Sequence, residues 1–277
     1  MGIAGRTRLD DVDDPPVKVG SMLFTLVDPH RGHEAAYNRW YERDHFYAGC
    51  LVGPWLFAGR RWVATRELKN LRTPADSPVA VPVDAGSYLA IYWVLDGHHK
   101  EHFSWASEQV HRLYAAGRGF AERSHVHTAL YTRAGVAYRD DDPVPVELAL
   151  DHPYQGLITV FLDADEGTSR DDLQARLAAG PLRRLMATAP VATAAAWNPI
   201  PLDGDVTSSA PMDLGSPPGG SGRLLQLLFC ETDPRETWDA FVGYDKAVET
   251  NHGARVVLAA PFIPTIPGTD TYADQLW

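Results

Sequence analysis

Residues 38–65 read NRWYERDHFYAGCLVGPWLFAGRRWVAT. Tyr37, Trp40 and Tyr41 recur at the three-to-four residue spacing of an amphipathic helix, predicted here over about His33–Ala48. Gly53-Pro54 interrupts it, and FAGRRWVAT (57–65) then carries the aromatic and β-branched content of a strand. With the apolar run SMLFTLVD (21–28) ahead of it, the segment completes β-α-β.

Working outward, a Pro- and Asp-rich loop (73–86) leads to strand SYLAIYWVLD, a helix over about His98–Gly117 and strand HVHTALYTRAGVAY. The result is β-α-β-β-α-β, a ferredoxin-like unit. The same order returns in GLITVFLDAD, a helical region from Ser169 to about Ala187 broken at Gly180-Pro181, VATAAAWNPI, RLLQLLFCETD, a helix over about Pro234–Thr250 and RVVLAAPFIPTI. A long loop, DGDVTSSAPMDLGSPPGGSG, occupies the slot that 73–86 fills in the first copy. One ferredoxin-like sheet leaves an apolar face bare, so two are expected to close on each other as an intrachain α+β barrel with helices outside. The boundaries expected are a flexible arm over 1–20, a first repeat over 21–140 and a second, degenerate repeat over 141–277.

The chain has 277 residues, 45% of them hydrophobic, enough for a large core. Its formal charge of -11 disfavours nucleic acid and anionic membranes as partners. No apolar run is long enough to span a bilayer, and Cys50 and Cys230 stand alone, so a cytoplasmic monomer or homodimer taking a small hydrophobic molecule is expected. The sequence has no P-loop, GxGxxG, GxSxG or kinase signature.

NRWYERDHF followed by Gly53-Pro54 and the Arg60-Arg61-Trp62 strand resembles the EthD-like branch of the dimeric α+β barrel superfamily, with Asn38, Trp40, Tyr41 and His45 on the matching positions. The resemblance implies a pocket between sheet and helices for small hydrophobic or aromatic molecules, and it maps the family's recurrent imidazole on His45. Glu-His-Ile-Pro of relatives is Asp-His-Phe-Tyr here, and the second half has no counterpart of the run.

On an α-helix turning 100° per residue, Tyr37, Trp40, Tyr41 and Asp44 share one face with His45 on its flank. The catalytic candidates are therefore His45, Asp44 and Tyr41. The substrate-binding candidates are Tyr37, Trp40, Arg61, Tyr92 and His127, with Arg60 and Arg61 alternating so that one faces inward. His125 and His127 are expected to share a strand face, and His98 and His102 stand at a helical metal spacing. The leading expectation is a lyase or isomerase working by His/Asp acid–base catalysis without cofactor or metal; a cofactor-free monooxygenase and a non-catalytic small-molecule or haem binder are the alternatives. The apolar ending PFIPTIPGTDTYADQLW is expected to dock on the protein.

Overall fold

The computed structural model describes residues 17–201, 210–251 and 253–277. Of the arm expected over 1–20, residues 1–16 lie outside the described residues, and Val19 already opens a strand.

The first half runs β1 (Val19–Pro29), α1 (Glu34–Trp40), a π-helical continuation (Tyr41–Leu51), β2 (Leu56–Val63), a short α2 (Arg66–Lys69), β3 (Tyr88–Leu95), α3 (His99–Ala115) and β4 (Arg123–Tyr138). The second runs β5 (Gly156–Ala164), α4 (Arg170–Ala179), α5 (Pro181–Thr188), β6 (Val191–Pro199), β7 (Arg223–Cys230), α6 (Pro234–Asn251) and β8 (Ala254–Pro264). Pro181 starts α5 at its first turn, where its missing N–H costs nothing, so the break at Gly180-Pro181 separates two helices.

All strand pairings are antiparallel, and the strands close into one barrel in the order β1-β3-β2-β8-β5-β7-β6-β4. This is the α+β barrel anticipated from the repeat. Two seams join the halves. β4 and β6 pair from Tyr131↔Pro199 to Tyr138↔Thr193, whereas β2 and β8 share only Trp62↔Pro264 and Val63↔Ile263. Thr73 and Ala259 exchange both backbone bonds nearby and extend the weaker seam.

Strands such as YLAIYWVL and RLLQLLFC are buried almost throughout, because one face fills the barrel and the other lies under helices. Inside, aromatic pairs span the two halves: Phe24 meets Phe161 edge-on at 5.6 Å, Trp93 stacks on Trp197 at 4.8 Å, and Trp62 lies 6.3 Å from Phe229. Outside the second half, α4, α5 and α6 cover the sheet with a continuous apolar layer that includes Leu173, Leu177, Leu185 and Phe241.

The C-terminal segment docks as expected. Leu276 is fully buried, its carbonyl accepts from Lys69 Nζ at 3.2 Å, and Trp277 lies under that ammonium and donates to Glu34.

Because the interior aromatics are shared, neither half keeps its core when the other unfolds. Urea unfolding followed by tryptophan fluorescence and by circular dichroism is expected to show one coincident transition; two separated transitions would refute the shared core. Trp197→Ala is expected to destabilise the protein by about 3–5 kcal/mol, the range for deleting a buried aromatic.

Candidate functional site

A cavity of about 180 Å³ lies between the outer face of the first-half sheet and the helices covering it. Leu23, Thr25 and Val27 of β1 form its floor, the π-helical segment and α3 form its walls, and Pro211, Met212 and Leu214 of the second half close over it. That last stretch is held against β4 by Thr128 N–H to the Leu214 carbonyl (2.9 Å) and Ser216 N–H to the Val126 carbonyl (2.9 Å).

The π-helical winding decides which side chains reach this cavity. With i→i+5 closure each residue turns through less than 100°, and the α-helical phase used to place Asp44 no longer holds. Tyr41, His45, Gly49 and Cys50 line the cavity. Asp44 does not. It turns away to pair with the Arg118 guanidinium, its Oδ2 accepting from Nε at 3.0 Å, and that hydrogen bond holds its carboxyl below the usual range against the opposing effect of burial. Gly49 is required beside His45: a Cβ there would lie 2.8 Å from the imidazole Nδ1.

His45 stacks on Trp40 (ring centroids 4.5 Å) and meets Tyr41 edge-on at 5.3 Å. Burial, reinforced by the nearby Arg123 and His125, pushes its pKa down to about 3, so the ring is neutral at physiological pH. None of the described residues hydrogen-bonds its ring nitrogens. Next to it the Tyr41 and Tyr92 hydroxyls are 2.8 Å apart, both buried and both held protonated by desolvation. Cys50 completes this wall, its thiol pushed up to about 12 by burial.

Another part of the cavity wall depends on a β-bulge. Register between β1 and β4 slips so that Leu26 faces His127 while Val27 faces His125, which leaves Val126 as the extra residue and sends the two histidines to opposite faces. The alternation expected from sequence is therefore broken. His125 lines the cavity, whereas His127 points into the barrel against Phe24 and Phe161, bonded to Tyr131 Oη (2.7 Å) and Ser216 Oγ (2.8 Å).

Other expected binding residues stand behind the wall. Tyr37 and Trp40 do not line the cavity; Trp40 backs His45 and donates from Nε1 to the Arg118 carbonyl. Arg61 faces the helix layer and is the inward member of that layer, but it is enclosed by the Tyr37, Tyr41 and Tyr88 rings and bonded to Asn38 (2.6 Å) and Glu42 (2.8 Å), out of reach of the cavity. Arg60 turns to the barrel end, where main-chain carbonyls of His152 and Leu150 receive it. Tyr92 does line the cavity. Sequence reasoning missed Arg123, Val110 and the Pro211–Leu214 cover, because they come from segments far apart in the chain.

Among the described residues no three His, Cys, Asp or Glu side chains converge as a metal site. His98 stacks on Trp55 at 3.7 Å and is not joined with His102. His102 has the fixed tautomer of a metal-ligating imidazole, with Nδ1 2.7 Å from the Pro54 carbonyl and its other nitrogen free. The cavity is nevertheless smaller than the roughly 300–1,000 Å³ that holds drug-sized ligands, and a haem exceeds those. The residues present do not fit that group.

No protein-family model matches the sequence, and no curated protein matches it. Solved structures do. An anthrone oxidase-like protein aligns with a TM-score of 0.51 at 8% identity over 91% of this chain and 95% of its own. A Rhodococcus jostii DypB variant in complex with heme aligns at 0.50 and 11% identity over 94% and 96%, and a dye-decolorizing peroxidase from Bacteroides thetaiotaomicron at 0.50 and 9% over 95% and 98%. What is shared is the α+β barrel fold, aligned over nearly the whole of each chain. No helix among the described residues is long and apolar enough to cross a membrane.

The buried imidazoles make stability pH-dependent. His45, His125 and His127 have folded pKa values near 3, 3 and 4 against 6.5 for the free side chain. Between those limits the unfolded chain binds more protons, so their contribution is full above about pH 6.5 and is lost as pH falls toward the folded values. Thermal melts are expected to show Tm dropping by several degrees from pH 7 to pH 5, and a flat profile would contradict the burial of these rings. Asp44→Asn, which touches only the exposed ion pair with Arg118, is expected to leave ligand binding by calorimetry within about twofold and stability within about 1 kcal/mol.

Proposed function

We propose that this single-chain α+β barrel is a cofactor-free oxygenase that oxidises an activated methylene of a small aromatic substrate, with His45 as the general base. The observation that carries the reading is a neutral imidazole, unbonded by the described residues, on the wall of an apolar cavity beside the paired Tyr41 and Tyr92 hydroxyls. The sequence-based lyase reading gave His45 the support of Asp44 or a tyrosine. Asp44 is committed to Arg118 outside the cavity, which leaves the Tyr41 and Tyr92 hydroxyls as the proton donors beside His45. Oxidation passes the electrons to dioxygen, which enters an apolar cavity readily. The likeness to an anthrone oxidase-like protein supports the same choice.

His45 takes a proton from the methylene carbon, and the charge delocalises on an adjoining aryl carbonyl or phenol oxygen, to which the Tyr41 hydroxyl donates. Its low resting pKa belongs to a cavity in which Arg123 is the nearby charge; an oxyanion formed in the same step raises the basicity of the ring. The carbanion reduces dioxygen and forms a C–O bond, and the imidazolium returns its proton to give a hydroperoxide. Removal of the second C–H proton breaks the O–O bond, forms the ketone and expels hydroxide, which leaves as water. One methylene and one dioxygen thus become one ketone carbonyl and one water, the substrate supplying all four electrons.

Oxygen uptake with aryl ketones and phenols of one to three rings bearing a benzylic methylene tests the proposal. His45→Ala is expected to lower kcat by about 10²–10⁴-fold and Tyr41→Phe by about 10²-fold. Undiminished turnover under nitrogen would overturn the oxygenase reading in favour of a lyase.

A further inference from the structure

One corner of the cavity contains a cation with no carboxylate partner among the described residues. Arg123 lines the cavity, half-buried, and donates to three neutral acceptors: His125 Nε2 from Nε (3.2 Å), the Phe120 carbonyl (2.8 Å) and the Tyr114 hydroxyl (2.8 Å). Its plane lies over Trp40, 4.5 Å from the ring centroid, on the residue that also backs His45. Other arginines around the site are paired: Arg118 with Asp44, Arg61 with Glu42, Arg39 with Asp270. Among the described residues Arg123 has no carboxylate within 4.0 Å. An acidic group that acts on His125 is Asp213, which is exposed and accepts from Gly215 N–H at 3.0 Å.

His125 is built to hold that guanidinium. Its Nε2 accepts from Arg123, so the proton sits on Nδ1, which donates to Thr128 Oγ1 at 2.7 Å; Thr128 is bonded in turn to Thr25 Oγ1 at 2.8 Å. With both ring nitrogens used, His125 is a positioning residue and no base. Of the five guanidinium N–H groups three are occupied, and two remain for a ligand.

We infer that the cavity recognises an aromatic carboxylate, with Arg123 binding the carboxylate and the apolar walls taking the flat ring. A half-buried cation facing an apolar cavity gains when an anion joins it, and a two-pronged N–H fork matches carboxylate geometry. The net charge of -11 repels anions at a distance, which makes this local cation necessary for such a ligand. The inference narrows the substrate class of the oxygenase proposed above and rests on the same cavity, though not on His45 chemistry.

Binding without turnover tests it. The affinities of 2-naphthoate, 2-naphthamide and 2-naphthol for the full chain are measured by calorimetry at pH 7. Naphthoate is expected to bind at least about tenfold tighter than the other two, the value of a charge-assisted hydrogen bond. Arg123→Met is expected to abolish that preference while naphthamide holds within about twofold, and Arg123→Lys to restore part of it. If Arg123→Met does not fold by circular dichroism, His125→Leu, which frees the guanidinium from its holder, is expected to weaken naphthoate selectively. Equal affinities for naphthoate and naphthamide, naphthol matching naphthoate, or a preference surviving in both Arg123→Met and His125→Leu would each overturn the carboxylate assignment and leave the cavity reading standing. Failure of all three probes to bind would overturn the cavity as a small-molecule site, and the oxygenase reading with it.

Discussion

Everything in this molecule depends on closing two open sheets against each other. Each half offers an inner face of large aromatics that cannot be covered from within its own half, and the Trp93–Trp197 and Phe24–Phe161 contacts show what covers it. Burying such rings removes on the order of 150–250 Å² of surface each from water. The cost is that the helices are left to the outside, so any cavity for a ligand must lie between a sheet and its helix layer. The second half fills that space with leucines, Trp238, Phe241 and Tyr244; the first half leaves it open.

Within the open layer, two backbone irregularities choose the chemistry. The π-helical winding turns Asp44 to solvent and leaves His45 on the cavity, and the bulge at Val126 presents His125 to the cavity while sending His127 into the barrel. Both irregularities are stabilised by their surroundings. Val52 N–H reaches the Tyr47 carbonyl five residues back at 3.1 Å, and the segment around Gly215 pairs with the bulged part of β4. The cover over the cavity and the bulge that shapes its corner are thus one structure contributed jointly by the two halves.

The electrostatics follow from dryness. Imidazoles that would titrate near neutrality in water are kept uncharged, tyrosine hydroxyls are kept protonated, and the thiol of Cys50 is made inert. What remains charged at the wall is the Arg123 guanidinium. A neutral base and a fixed cation about one small cavity form a site that favours formation of negative charge on whatever occupies it.

Hydrophobic period, proline and glycine breaks and the repeated element order determined the α+β barrel and the NRWYERDHF helix, because strand alternation and helix phase are written locally. Tyr41 and Tyr92 line the cavity on faces that helix phase and strand alternation mark, whereas α-helical phase put His45 only on the flank and the family resemblance singled it out. Asp44 and His127 were misplaced because π winding and a bulge each shift the local phase, and no residue type in those stretches announces the shift; Arg61 faces the helix layer as alternation allows but is taken up by Asn38 and Glu42. Arg123 and the Pro211–Leu214 cover left no local signal at all. Their roles exist only because a strand start and a loop about ninety residues later meet across the barrel seam, where main-chain hydrogen bonds between segments, absent from either alone, fix which side chains face the cavity.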